Sequence, residues 1–216
     1  MFIIPGNNMS IVIKEAPMNK CPLLGLMLLL SLLLSACSSK LMDPMLEQQQ
    51  PVPQGNEASI TFFRTSSFGG MIQAPIAEET ASGLELVGIS SMDTKIRHVV
   101  APGKHIFVVG GESGSLLAAD LAPQRHYYVK VSPGFGWGKT RFTMVPVPPQ
   151  DLDAPGMQKE IRECTPVSRN DKAAQWFLEN KRSMEDKLRT AKEKFQARKN
   201  PAEYTLPASY GITELY

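Results

Sequence analysis

The chain has 216 residues, and 23 basic against 21 acidic side chains give it a formal net charge of +2. This near-neutral balance argues against nucleic acid as a partner, because nucleic-acid-binding domains carry a clear excess of basic residues. Of three cysteines, Cys21 and Cys37 lie in or beside a hydrophobic N-terminal segment, so only Cys164 is left in the remainder of the chain. No intramolecular disulfide is therefore expected.

The N-terminal segment has the layout of a secretory signal peptide. Met18-Asn-Lys precedes an apolar run over residues 23–34, which is followed by small residues and a cysteine. This run is too short for a membrane-spanning helix, which needs ~20 apolar residues. The end of the run resembles the lipobox of bacterial lipoproteins, and this resemblance implies cleavage before Cys37, a diacylglycerol on its thiol and an acyl chain on its amine. Residues 1–36 are the predicted signal peptide, with Met1, Met9 or Met18 as the start, and the lipobox residues are Leu34, Ser35, Ala36 and Cys37.

Residues 37–55 are predicted to be the lipidated cysteine and a flexible tether. They contain a glutamine run and several prolines, and they show no hydrophobic period. A flexible chain of about 18 residues spans about 25 Å, which would hold a domain clear of the lipid headgroups. Ser38 follows the cysteine directly and resembles the residue that enterobacterial lipoproteins use for sorting. Aspartate at this position is associated with retention in the inner membrane, so serine favours the outer membrane. We therefore expect an outer-membrane lipoprotein that faces the periplasm.

Residues 56–147 are predicted to form one Ig-like β-sandwich domain. Short runs of β-branched and aromatic residues alternate with clusters of Gly, Pro and Ser, which is typical of an all-β sandwich. Pro102-Gly103 predicts a turn that joins two of these strands as a hairpin, and no window shows a helical period over ten residues. The predicted strands are 60–64, 84–89, 95–100, 105–109, 116–121, 127–131 and 141–147.

Three segments of this domain carry a family resemblance. They are, in chain order, Phe62-Phe63-Arg64-Thr65-Ser66, Ala101-Pro102-Gly103-Lys104-His105 and Tyr127-Tyr128-Val129-Lys130-Val131. Together they resemble the DUF2846 family of bacterial lipoproteins over roughly residues 56–147. The resemblance implies a small prealbumin-like β-sandwich without an assigned function, and it supplies no active site.

The last third of the chain changes from strand patterns to a helix pattern. Residues 148–168 are predicted to be a proline-bearing acidic linker, 169–200 a charged amphipathic helix, and 201–216 an extended tail. Asn170 or Asp171 can cap the helix start, and Asn200-Pro201 ends it. Three hypotheses fit its apolar stripe: packing on the sandwich, binding a protein partner, and contact with anionic lipid. The stripe consists of Phe177, Met184, Leu188, Ala191 and Phe195.

Residues 132–140 are predicted to be a long glycine-rich loop. They end in Gly138-Lys139-Thr140 like a phosphate-binding loop, but that motif requires glycine where Pro133 stands and must open a helix. We therefore interpret the segment as a connection between strands. Phe135 and Trp137 either form a contact surface for a partner or pack over the end of the sandwich.

The histidines are the remaining candidates for chemistry. If the turn at 102–103 makes a hairpin, His98 and His105 lie on one face as diagonal neighbours, ~7 Å apart. A metal site needs a third or fourth ligand, and only His126 is left, so partly buried structural histidines are favoured and no metal site is predicted. The sequence also shows no nucleophile with its base.

These observations predict a mainly β fold, a small Ig-like or prealbumin-like sandwich followed by a long C-terminal helix. The function they favour is a non-catalytic binding or structural module, anchored to the membrane at Cys37, that recruits or braces another envelope protein. No cofactor is expected besides the covalent diacylglycerol and acyl chain. The alternative is a hydrolase or ligand-binding enzyme that acts on envelope glycan or lipid from a site in the sandwich.

Overall fold

The computed structural model describes residues 41–65, 72–136 and 139–216, without the side chains of residues 135, 136, 139 and 140. The predicted signal peptide, the lipobox with Cys37, and Trp137 therefore lie outside the described residues.

Two β-sheets face each other and form the sandwich that the sequence predicts. One sheet has six strands in the order β1-β10-β5-β2-β8-β9, and the other has five in the order β11-β7-β6-β3-β4. The strands are β1 Met42–Pro44, β2 Ala58–Arg64, β3 Ala74–Thr80, β4 Gly83–Ser90, β5 Thr94–Val100, β6 Gly103–Val109, β7 Ser115–Leu121, β8 His126–Gly136, β9 Lys139–Pro146, β10 Thr165–Arg169 and β11 Thr205–Leu206. The helices are α1 Pro149–Leu152, α2 Pro155–Glu163 and α3 Asp171–Gln196.

The six-stranded sheet is buried on both faces. On β2, Phe62 contributes to the core between the sheets, whereas its neighbour Phe63 belongs to a second cluster with Leu152 and Ile161 from α1 and α2. This follows from the alternation of side chains along a strand. The prediction that residues 148–168 form a linker is therefore wrong. These residues form two short helices and most of β10, and they cover the outer face of this sheet.

The prediction of a flexible tether at 37–55 is also wrong from Leu41 onward, where the chain is part of the fold. Leu41 belongs to the core, and Met42 pairs with Arg169 in the antiparallel contact between β1 and β10. Glu47, in a short 3-10 helix, forms an ion pair with the buried Lys95 at 3.0 Å. The Met42 side chain packs against β4, where its sulfur lies 3.3 Å from the Ile89 backbone N–H, so residues 41–50 are part of the fold.

The predicted hairpin at Pro102-Gly103 is wrong, although the turn itself is present. Gly103 has a φ of +129°, a conformation that favours glycine. The strands on either side do not pair: β5 pairs with β2 and β10, whereas β6 pairs with β3 and β7. The turn therefore carries the chain from one sheet to the other.

The glycine-rich segment and the C-terminal tail also have more structure than predicted. β8 continues through Gly136 and pairs with β9 from Lys139, so most of the predicted loop is a two-stranded ribbon. In the tail, β11 pairs with β7, and the Tyr127 hydroxyl donates a hydrogen bond to the Ala208 carbonyl at 3.1 Å. Both segments contain residues that pair with neighbouring strands, which a single-sequence pattern does not reveal.

Candidate functional site

A carboxylate held between two histidines is the most unusual polar arrangement in the described part of the chain. Glu78 on β3 is buried, and its Oε2 accepts a hydrogen bond from His98 Nε2 at 2.7 Å. Its Oε1 accepts one from His105 Nδ1 at 2.6 Å. His98 lies on β5 in the six-stranded sheet, while Glu78 and His105 lie in the five-stranded sheet. The cluster therefore connects the two sheets.

His105 is held as an imidazolium by its two partners. Its Nε2 lies 2.9 Å from the Ala101 carbonyl oxygen, and its Nδ1 faces the Glu78 carboxylate. A carbonyl and an ionised carboxylate both only accept, so both ring nitrogens must carry protons. The hydrogen bond to Glu78 raises the pKa of His105 above its ordinary value and outweighs the lowering caused by burial.

The Glu78 carboxylate is held in its ionised form. Burial by itself would raise its pKa, but the hydrogen bonds from His105 and His98, together with their charge, lower the pKa to about 2. The Phe107 ring stacks on His105 and meets His98 edge-on, with both pairs of ring centroids 6.1 Å apart. Each carboxylate oxygen already accepts a short hydrogen bond, so the geometry suits an electrostatic link between sheets better than proton abstraction.

The prediction for these histidines was partly right. His98 and His105 do come together, but they meet across the sandwich through Glu78 and not as diagonal neighbours in a hairpin. His126 lies elsewhere, where its Nδ1 is 2.7 Å from the Ser59 hydroxyl. Within the described ranges, no group of three or more His, Cys, Asp or Glu side chains is arranged so that it could hold a metal ion. Glu78 was missed because the strand that carries it was not predicted.

A second polar cluster lies beside Cys164. Lys130 Nζ and the Thr65 hydroxyl both contact Glu160 Oε2, at 2.5 Å and 3.0 Å. The hydrogen bond from Lys130 lowers the pKa of Glu160. Cys164 is buried, and burial raises the pKa of its thiol to about 11. A thiol with this pKa is protonated at neutral pH and unsuited to act as a nucleophile.

The apolar stripe of the long helix packs on the sandwich. Phe177, Met184 and Leu188 are buried, and Phe195 is partly buried against the same core. The stripe is therefore buried and not a surface for a partner in this structure. Of the three hypotheses for the stripe, this favours packing on the sandwich. The fit is close, because a Cβ added at Gly114 would lie 2.7 Å from the Lys187 carbonyl oxygen of the helix.

The helix covers the face of the five-stranded sheet opposite the second sheet. On β3, Glu79 forms an ion pair with Lys192 of α3 at 2.6 Å, whereas the preceding Glu78 points toward His98. Alternate side chains of one strand thus contact the helix and the opposite sheet. Asn170 caps the helix by accepting a hydrogen bond from the Ala173 backbone N–H at 3.1 Å.

Two cavities lie between the helix and the chain segment that joins β6 to β7. Their volumes are about 310 Å³ and 530 Å³, and they share Glu112, Ser183 and Lys187 in their walls. The first also has Trp176 and Met184 in its wall. Sequence reasoning did not find these cavities, because they exist only where the docked helix meets the sheet.

The chain was compared with known protein families, curated proteins and solved structures, and none of the three comparisons finds a match. The resemblance to the DUF2846 family therefore stays a prediction. In the part of the chain that the structure describes, no helix has the length and apolar character needed to cross a bilayer.

Proposed function

We propose that the protein is a lipid-anchored outer-membrane lipoprotein that faces the periplasm, and that its folded part is a non-catalytic module that recruits or braces another envelope protein. The observation that carries this proposal is the lipobox ending at Cys37, placed four residues before Leu41, which belongs to the hydrophobic core. A signal of this kind addresses the domain that follows it to the membrane surface.

The packing of the domain supports a structural role. The helix, both short helices and the C-terminal segment are all packed against the sandwich, so the module is a single preassembled unit. A rigid surface loses less conformational entropy on binding than a flexible one does. The outer face of α3 presents Leu178, with 71% of its surface exposed, among charged and polar neighbours. We place the partner contact on this outer face, since the inner stripe is buried.

Lipidation is tested by metabolic labelling with palmitate. Wild-type protein is expected to take up the label, and the Cys37→Ala variant is expected to lose it. Cys164→Ala is the matched control, because it removes a buried cysteine and should leave the labelling intact. Label on the Cys37→Ala variant would contradict the anchor.

Partner binding is tested by photo-crosslinking in living cells from exposed positions on α3. Gln175 and Leu178 lie on the exposed side of the helix, whereas Val52, also exposed, lies outside the helix and serves as the control position. One protein adduct from the helix positions and none from Val52 is the expected result. The absence of a protein adduct from all of them would contradict a recruiting role for the helix.

A further inference from the structure

We propose that the folded domain stands directly on the membrane surface, with the end formed by Leu41, Asn170 and the first turn of α3 against the phospholipid headgroups. This inference rests on the proposed lipidation of Cys37. It replaces the expectation of a long flexible tether with an orientation that the fold itself imposes.

The start of the fold is fastened too firmly to act as a spacer. Met42 is paired with Arg169, and its sulfur lies 3.3 Å from the Ile89 backbone N–H, which donates to it. The Asn170 side chain donates a hydrogen bond to Asp43 at 3.0 Å. Leu41 is itself part of the hydrophobic core. Releasing this strand would expose its apolar side chains and break its pairing, so the chain is held in the fold from Leu41 onward.

The remaining chain is short compared with the headgroup layer. Four residue steps separate Cys37 from Leu41, and a fully extended chain covers at most about 14 Å over that distance. The headgroup layer of one leaflet is about 5–7 Å thick. An acylated Cys37 sits at the inner edge of that layer, so Leu41 lies within about 9 Å of the outer surface of the headgroups even when the chain is fully extended. The predicted 18-residue tether would have allowed about 25 Å.

Strand register decides which end of the fold faces the lipid. β1 is antiparallel to β10, and Met42 lies opposite Arg169, so Leu41 is level with the helix cap at Asn170. The other end of β10 is Thr165, whose backbone N–H bonds to the Asp93 carbonyl at 2.8 Å. At about 3.3 Å per residue, Thr165 lies about 17 Å along the strand from Asn170, on the side away from Leu41.

The near end carries exposed groups suited to a headgroup layer. Lys172 is exposed there and can meet lipid phosphates, whereas the exposed Arg169 donates a hydrogen bond from its guanidinium to the Leu86 carbonyl. Asp43 and Asp171 are exposed beside them, a mixture of signs that fits a zwitterionic phospholipid surface. Met92, in the turn before β5, is 40% exposed at the far end. Lys172 at the near end and Met92 at the far end therefore provide one labelling position for each end of the fold.

The test measures how close each end lies to the headgroups. The full-length lipidated protein, in a Cys164→Ala background, receives a nitroxide at Lys172→Cys or at Met92→Cys. Each is reconstituted into phosphatidylethanolamine and phosphatidylglycerol vesicles that contain a nickel-chelating headgroup lipid. We expect nickel to relax the nitroxide at position 172 several-fold more strongly than the one at position 92. Equal relaxation at both positions, or stronger relaxation at 92, overturns the orientation.

A second variant tests the short connection and separates this inference from the lipidation itself. Inserting about 15 flexible residues between Lys40 and Leu41 adds about 20 Å of reach, and it should lower the relaxation at position 172. An unchanged value overturns the argument from chain length. Mass spectrometry of the N-terminal peptide is read independently: if Cys37 carries lipid and the nitroxides contradict the orientation, only this inference fails. If Cys37 carries no lipid, the proposed function and this inference both fail.

Discussion

Replacing Glu78 with glutamine is expected to destabilise the sandwich most between about pH 4.5 and pH 6.5, the ordinary pKa values of glutamate and histidine. The variant keeps the size of the side chain but removes the charge that His98 and His105 share. The pKa of Glu78 in the fold is about 2, against 4.5 ordinarily, and a difference of this size corresponds to about 3 kcal/mol of stability. The raised pKa of His105 reflects the same hydrogen bond with Glu78, so it contributes no separate stability beyond this value.

The pH range follows from the signs of the two shifts. Because the pKa of Glu78 is lowered, its contribution is complete above pH 4.5 and is lost as the pH falls toward 2. Because the pKa of His105 is raised, its contribution is complete below pH 6.5 and is lost as the pH rises through the raised value. The difference between wild type and variant should therefore be largest in the window between them.

Urea unfolding at about pH 3, 5.5 and 9 measures this difference as a change in the free energy of unfolding. Glu79→Gln is the matched control, since it removes a neighbouring carboxylate from a partly exposed ion pair with Lys192. Such pairs contribute about 1 kcal/mol or less. A Glu78→Gln effect that is independent of pH, or no larger than that of Glu79→Gln, would refute the assignment of the cluster as an ionised link.

Three further predictions test the packing. Gly114→Ala should cost about 1–3 kcal/mol, because the new methyl group would lie 2.7 Å from the Lys187 carbonyl oxygen; Gly134→Ala, whose nearest neighbour is 4.0 Å away, should be close to neutral in the same thermal unfolding assay. Asn170→Ala should cost about 1 kcal/mol through loss of the helix cap, and equal stability in thermal denaturation would argue against the cap. Cys164 should resist iodoacetamide in the native protein and react once urea unfolds it; rapid alkylation without urea would contradict its burial.

Much of the secondary structure could be predicted from local patterns. Runs of β-branched and aromatic residues identified seven of the strands, and Asn170 identified the start of the long helix. β3 was missed because its sequence contains Ala74, Pro75, Glu78 and Glu79, which have low strand propensity. Pairing with β4 and β6 on both sides overrides that local preference.

The candidate site could not be predicted, because its three members come from strands whose pairing is non-local. His98 and His105 are close in sequence, and the turn between them was correctly placed. Local geometry at Pro102-Gly103 allows either a hairpin or a passage between sheets, and the choice depends on which distant strands pair with β5 and β6. Only that choice brings Glu78 between the two rings.

The sequence by itself determined the strands with strong propensity and the capped helix with one apolar side, and it predicts a lipobox at Cys37, because each depends on residues that are close in the chain. Tertiary structure alone decided that the apolar side of α3 is buried, that residues 41–50 join the fold, and that Glu78 is shared by two histidines. These features depend on which surfaces meet, and burial of apolar area between distant segments sets that outcome. Residues 41–50 join the fold for the same reason: the pairing of β1 with β10 brings residues that resemble a tether into contact with the core.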